Sequence, residues 1–331
     1  MNAPLLNVMG LKKYYAVGSR FPGARPRQLR AVDDVSFSIG HGETLSLVGE
    51  SGCGKSSVGR SILGLFPITD GRIELDGTRI DRLSPEAFRP VRKKLQVVFQ
   101  DPFSSLNPRM KVRDIVAEPL RNFRPDLSRT QIDRKVGDVL EQVGLPRDAI
   151  GRWPHEFSGG QRQRIGIARA LSAEPELIVC DEAVSALDVS VKAQIVNLLQ
   201  DLQRELGLAL LFISHDLGIV AHMTHRVAVM YLGKIVEIGT RQEVFFQTRH
   251  PYTKALLSSV PSMKARGAES RRIILAGDVP SPVNPPPGCR FHARCPSAMD
   301  RCKVEEPPLV SHGDGHVSAC HLNDTNGEPA R

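Results

Sequence analysis

Aromatic residues are scarce in this chain of 331 residues: they make up 5% of it, with a single tryptophan. No Arg-rich run is interleaved with aromatics, so a surface that stacks nucleic-acid bases is not expected. Long apolar runs are missing too. The apolar stretches are short, such as Leu206 to Ile213, well under the roughly 18 residues that cross a bilayer. The opening MNAPLLNVMGLKK lacks the basic start and long apolar core of a secretion signal, which leads us to expect a cytoplasmic protein. There is no internal repeat, which excludes a solenoid or a tandem pair of domains, and no heptad run, which excludes a long coiled coil. No C-x-x-C pair occurs, so the usual zinc-knuckle spacing is excluded. What remains is 41% hydrophobic and 24% charged, ordinary for a soluble globular protein of one large or two medium domains. The excess of 44 Lys+Arg over 36 Asp+Glu gives a net charge of +8; it reads as a mixed, solvated surface rather than a nucleic-acid or membrane patch.

The segment Gly49 to Ser56 reads GESGCGKS and fits the phosphate-binding pattern G-x-x-x-x-G-K-[ST]. Gly49, Gly52 and Gly54 let the backbone turn its N–H groups toward a polyphosphate. Lys55 supplies positive charge to the β- and γ-phosphates, and the Ser56 hydroxyl suits magnesium. Ser51, Cys53 and Ser57 complete the expected nucleotide contacts. An apolar strand pattern, Thr44 to Val48, precedes the loop, and a helix pattern from Ser56 to Phe66 follows it, so the helix N-terminus would face the phosphates.

Further along, Leu177 to Glu182 reads LIVCDE: a buried strand with two carboxylates at its C-terminal end, where open α/β sheets place their chemistry. Asp181 can hold magnesium, directly or through water. Glu182 can polarise an attacking water. Before that strand, Ser158, Gly159 and Gly160 open a helix in PHEFSGGQRQRIGIARAL, forming a second anion site with exposed backbone donors. Two phosphate sites in one chain that do not obviously meet suggest a dimer in which each site is completed by the partner.

FSGGQRQR resembles the signature of the ATP-binding cassette (ABC) family, and its other stations follow in order. Gln100 in VVFQDP resembles the Q-loop glutamine, Ser185 to Asp188 (SALD) the D-loop, and His215 in LLFISHD the switch histidine. Phe157 departs from the usual leucine before the signature serine. The resemblance covers roughly 6–248. It implies an α/β P-loop NTPase fold with a RecA-like core, an antiparallel β subdomain and a helical subdomain at about 101–155. It also implies ATP hydrolysis with magnesium held by Ser56, Gln100 and Asp181, and catalysis by Glu182 and His215. Adenine would stack on Tyr15, or failing that Tyr14. In this family ATP lies between the phosphate loop of one subunit and the signature of the other, here Ser158 to Gln161, with Asp188 at the interface.

We divide the chain into an ATPase domain, 5–248, and a C-terminal extension, 249–331. Val32 to Ile39 has strand alternation; Arg20 to Arg30 is basic, contains Pro and Gly, and reads as a loop; Lys111 to Leu120 and Thr130 to Val143 read as helices. Beyond Gly239 prolines accumulate up to Pro285-Pro286-Pro287, which favours an extended segment. Cys289, Cys295, Cys302 and Cys320 follow with five, six and seventeen residues between them. Four thiolates suit zinc or an iron–sulfur cluster, and the spacing does not choose. HPYTKALLSSVP, GCRFHARC and QDPFSSLNPRM are similar to segments of the ATPase subunits of dipeptide and oligopeptide importers, some of which carry a 4Fe-4S cluster on these cysteines. That resemblance implies a subunit at the cytoplasmic side of the bacterial inner membrane. It would pair with a second ATPase, homologous or identical, and with two separate permeases served by an extracytoplasmic solute-binding protein. Other cargo, such as nickel chelates or glutathione, is the alternative. A nucleic-acid-related cassette ATPase and a redox sensor with a secondary ATPase are the rival readings.

Overall fold

Three strands are buried at every position: β3 (Thr44–Val48), β7 (Leu177–Asp181) and β8 (Ala209–Ser214). Such uninterrupted burial is what a parallel sheet covered on both faces requires. Alternate residues feed two separate cores. Leu45, Leu47, Val179, Leu211 and Ile213 face one core, while Val48, Ile178, Cys180, Leu210 and Phe212 face the other. The computed structural model describes residues 3–18, 27–260, 273–313 and 315–323.

Two sheets organise the chain. The smaller, antiparallel sheet has the order β2-β1-β4-β5, with β1 (Leu6–Val17), β2 (Arg27–Ile39), β4 (Asp70–Leu75) and β5 (Thr78–Arg79). It packs over α1 (Lys55–Ile62). The larger sheet has the order β11-β12-β10-β9-β3-β8-β7-β6. Here β6 is Leu95–Val98, β9 Arg226–Tyr231 and β10 Lys234–Thr240, while β11 (Val310–Ser311) and β12 (Val317–Ser318) come from the C-terminal extension. From β9 across to β6 the neighbours are parallel; beyond β9 they run antiparallel. Strand β3 sits in the middle between β8 and β9, so the loop after it opens at a topological switch point.

After α2 (Arg89–Lys94) and β6, helices take over. They are α3 (Val112–Phe123), α4 (Arg129–Gln142) and α5 (Gly159–Leu171), with α3 packed on both α4 and α5. The helices expected at Lys111 to Leu120 and Thr130 to Val143 are α3 and α4. Helix α6 (Val189–Leu206), α7 (Leu217–Met223) and α8 (Arg241–Phe246) complete the ATPase portion, and α9 (Pro251–Ser258) and α10 (Asp300–Val304) belong to the extension. Two expectations need correction. The helix after the phosphate loop ends at Ile62, not Phe66; Gly64 takes φ 63° and turns the chain out of the helix. Of the basic loop proposed for Arg20 to Arg30, residues 20–26 lie outside the described residues, and Arg27 to Arg30 extend β2, paired with Tyr14 to Val17 of β1.

The extension is sewn into the body. Glu237 of β10 is fully buried, yet four groups donate to its carboxylate: Thr248 Oγ1 (2.9 Å), the amides of Arg249 (2.7 Å) and His250 (3.1 Å), and His316 Nε2 (2.9 Å). Such satisfaction is what makes a buried carboxylate tolerable. His250 caps α9, its Nδ1 accepting the Tyr252 N–H at 3.1 Å. Beside it Tyr231, Tyr252 and Phe291 form an aromatic cluster with ring centroids 4.7–5.3 Å apart. Farther along, buried Arg290 donates to Asp33 on β2 and to the Leu232 carbonyl.

Burial drives His250 from 6.5 down to about 4, against the opposing pull of Glu237. The unfolded chain therefore binds a proton that the folded chain refuses between these two values, so stability present above pH 6.5 is lost as pH falls toward 4. The shift corresponds to about 3 kcal/mol. We expect the melting temperature to drop over that window. His250→Asn keeps an acceptor at the helix cap without a titrating ring and should flatten the drop. An equally steep slope in that variant would assign the effect to other groups.

Candidate nucleotide-binding site

The loop from Gly49 to Ser56 needs its glycines for contact as well as for conformation. At Gly49 (φ 152°) a Cβ would lie 2.1 Å from the Met230 carbonyl oxygen, and at Gly54 (φ 109°) 2.0 Å from that of Ala31. The loop is thus pressed against β9 and β2, leaving no room for any side chain at either point. It delivers the chain into α1, whose first residue, Lys55, is buried at 3% exposure. The Lys55 ammonium donates to the carbonyls of Gly49 (2.8 Å) and Glu50 (3.0 Å). It closes the loop on itself, with the charge facing inward.

One residue on, Ser56 Oγ donates to Asp181 Oδ1 at 2.7 Å across 125 positions of sequence. The sheet explains the meeting. Val48 pairs with Ser214 and Asp181 with Ile213, so β3, β8 and β7 end at one level. Arg60, one turn along α1 from Ser56, approaches Asp181 Oδ2 at 3.8 Å. Burial pushes the Asp181 carboxyl above the usual carboxylate range, against the Ser56 hydrogen bond and Arg60. A hydroxyl and a buried carboxylate oxygen form the hard-oxygen donor set that magnesium takes, so these residues fit that ion.

Glu182 follows Asp181 but points elsewhere, because its backbone is left-handed at φ 51°. Such a conformation costs a non-glycine residue roughly 1 kcal/mol or more. It is held by Glu182 N–H donating to the Ile213 carbonyl and the Ser185 N–H donating to the Glu182 carbonyl, both at 3.0 Å. The turn brings the Glu182 carboxylate to 3.6 Å from Nδ1 of His215, which is half exposed beyond the end of β8. Base candidate and histidine thus flank the same opening.

The remaining expected residues are more scattered. Ser158 caps α5 in a reciprocal box: Gln161 N–H donates to Ser158 Oγ (3.3 Å) and Ser158 N–H to Gln161 Oε1 (3.0 Å). Ser158 and Gln161 are exposed and Gly159 and Gly160 half-buried, Gly160 lying so close to α6 that a Cβ would come within 2.4 Å of Val191 Cγ1. No hydrogen bond among the described residues joins this segment to the phosphate loop. Asp188 is exposed at the start of α6 without capping it through its side chain. Gln100 is exposed just past β6, whose last residue, Val98, pairs with Cys180; it leaves the sheet near the level of Asp181. Tyr14 is occupied structurally, its phenol donating to Asp33. Tyr15 has a half-buried ring, edge-on to Phe66 at 6.3 Å and with Lys13 Nζ 4.7 Å from its centre.

Cys289, Cys295, Cys302 and Cys320 are free thiols gathered in one region. Cys289 N–H donates to the Cys302 carbonyl at 2.8 Å. Burial pushes the Cys289 thiol up to about 11 and raises Cys295 and Cys320, and neighbouring sulfurs add to each rise. Yet among the described residues no three His, Cys, Asp or Glu side chains form a group that could hold a metal ion. The expected metal site is therefore not formed as a ligand shell. Sequence reasoning missed Arg60, which helical spacing from Ser56 could have revealed. It also missed Glu50, Tyr252 and Arg294, which lie in the segments GESGCGKS, HPYTKALLSSVP and GCRFHARC but carry no local mark of one another.

Comparison with known proteins agrees with this arrangement. A profile described as "ABC transporter" matches residues 32–185, and one described as "Oligopeptide/dipeptide transporter, C-terminal region" matches residues 236–302. The oligopeptide transport ATP-binding protein AppF of Bacillus subtilis is 51% identical over 96% of this chain and 97% of its own length. The chain belongs to the ABC transporter ATPase family. Within it, the oligopeptide transport ATP-binding protein OppF of Escherichia coli is 50% identical over 92% of both chains. A dimeric ATP-binding cassette, MJ0796, solved in a post-hydrolysis state with ADP and phosphate, superposes with a TM-score of 0.63. Identity to it is 26%, covering 71% of this chain and 98% of that one. The α/β cassette fold and ATPase activity expected from the sequence are those of this family. Among the described residues no helix is long and apolar enough to cross a membrane.

Gly54→Ala combines a left-handed backbone with a backbone clash. It should cost about 3 kcal/mol or more and abolish nucleotide binding. Thermal melting and a fluorescent-nucleotide titration read both effects; wild-type values would show that the loop relaxes freely.

Proposed function

We propose that this chain is the ATP-hydrolysing subunit of a bacterial importer of dipeptides or oligopeptides, acting at the cytoplasmic face of the inner membrane. It would pair with a second ATPase, a homologue or itself, and drive two separate permeases supplied by an external solute-binding protein. The observation that carries the catalytic reading is the 2.7 Å contact of Ser56 with Asp181 beside buried Lys55, with Glu182 and His215 at the same opening. The peptide cargo is supported by the match of residues 236–302 and by the names of the relatives. These favour peptides over nickel chelates, glutathione or nucleic acid.

In this reading the loop amides, with Ser51, Gly52, Cys53 and Ser57, cradle the polyphosphate, and Lys55 turns from the loop carbonyls to the β- and γ-phosphates. Ser56 and Asp181 would hold magnesium, with Gln100 reaching in from the loop after β6. When bound, magnesium neutralises charge on the phosphates. Glu182 accepts the proton of the attacking water, and His215 contacts the terminal phosphate. Tyr15 stacks on adenine. The exposed helix start at Ser158 to Gln161 serves the partner's nucleotide, and Asp188 meets the partner near it. Replacing Glu182 with Gln should leave MgATP binding intact and lower turnover by about a hundredfold or more. Undiminished turnover would remove Glu182 from the mechanism.

The four thiols of the extension are read as the seat of an iron–sulfur cluster, or else of zinc. Support comes from their gathering in one region, all free, with four soft donors and no disulfide. Iron, zinc and acid-labile sulfide should be measured on protein purified without oxygen. About four irons per chain identifies the cluster, about one zinc a structural site, and neither leaves the cysteines as packing residues.

A further inference from the structure

The extension does more than cover the edge of the sheet; it reaches the phosphate loop. Arg294, on the turn between Cys289 and Cys295, is largely buried and grips Glu50, the second residue of GESGCGKS. Arg294 donates through both terminal nitrogens, to Glu50 Oε2 at 2.7 Å and Oε1 at 3.1 Å, across 244 positions of sequence. The fork matches a carboxylate, and such paired charge-assisted bonds are among the strongest a side chain makes. A second arm comes from α9: the Tyr252 hydroxyl accepts the Glu50 backbone N–H at 2.9 Å. Tyr231 lies against both, its phenol 3.5 Å from the Arg294 guanidinium and its ring tilted against that of Tyr252 with centroids 4.7 Å apart. Side chain and backbone of one loop residue are therefore both held from outside the cassette core.

The location gives the clamp a purpose. Glu50 is an acid at the entrance to a cradle for polyanions, where a free carboxylate would oppose the phosphates. The Glu50 carbonyl also accepts from Lys55, so its position bears on the lysine. We propose that Arg294 is a positioning residue for nucleotide binding: it neutralises Glu50, holds that carboxylate aside from the phosphates, and with Tyr252 fixes the loop from the C-terminal extension. This rests on Gly49 to Ser56 being the ATP site. It adds that the extension is part of that site and that truncating it impairs nucleotide binding.

The test is MgATP affinity measured on the full-length chain for Arg294→Ala, Glu50→Gln, the double variant and Lys55→Ala, at low and high salt. Arg294→Ala frees the carboxylate and should weaken binding about tenfold, the loss of one charge-assisted contact. Adding Glu50→Gln removes the repelling charge and should return affinity to within about twofold of wild type, a rescue that mere unfolding cannot produce. The gap between wild type and Arg294→Ala should shrink as salt is raised toward about 1 M. Should Arg294→Ala prove too unstable to purify, Arg294→Lys keeps the charge but loses the fork and should fall between the two. Wild-type affinity in Arg294→Ala overturns the proposal, as does a double variant as weak as the single one. Lys55→Ala separates the two readings: if it binds ATP normally, the loop is not the site and the clamp has no nucleotide to serve.

Discussion

Everything at the candidate site depends on three buried strands ending at the same level. Strands β3, β8 and β7 are parallel neighbours in fixed register, and the loop, the Ser56–Asp181 pair, Glu182 and His215 all hang from their C-terminal ends. Register is costly to change here. Slipping one strand by one residue would move Leu45 and Leu47 out of one core and Ser46 into it. Two-sided burial therefore specifies the site as a by-product of specifying the fold. The strained turn at Glu182 survives for the same reason: both its amide and its carbonyl are held by neighbours on that rim.

A second anchoring logic governs the extension. It contributes few regular elements, so packing alone would hold it weakly. The body instead provides carboxylates, buried at Glu237 and Asp33 and half-buried at Glu50, that the extension satisfies: Glu237 for His316 and the start of α9, Asp33 for Arg290, and Glu50 for Arg294. Each pair crosses from the cassette to the extension. Removing one partner from a buried carboxylate costs more than the intact contact contributes, even where other donors remain, as Thr248 does for Glu237 and Tyr14 for Asp33. The extension is thus fixed by the penalty of leaving as much as by the gain of docking.

Legibility in the sequence followed the range of the interaction. The phosphate loop, the cap at Ser158 and the strand ending in Asp181-Glu182 are local patterns, and their residues fall where those patterns place them. The buried runs of β7 and β8 could be read as strands because four or five apolar residues in a row have few alternatives. Strands β11 and β12 have two residues each, too short for alternation to show, so their joining the main sheet left no trace. Arg294 and Glu50 are 244 positions apart, and a lone arginine carries no mark of its partner. The cysteines were legible as a group but not as a ligand shell, because spacing constrains the chain and not where the sulfurs point.

The split between the phosphate loop and the exposed start of α5 is the last consequence of this design. Ser158 satisfies its own helix through the reciprocal bond with Gln161. That cap uses one amide of the helix start and leaves others facing solvent, with the positive end of the dipole behind them. In the reading proposed above, a polyphosphate seated on another copy or a homologue would meet them, and closure of two chains and capture of nucleotide would be one event. Free energy from binding ATP would then be available for moving subunits against each other.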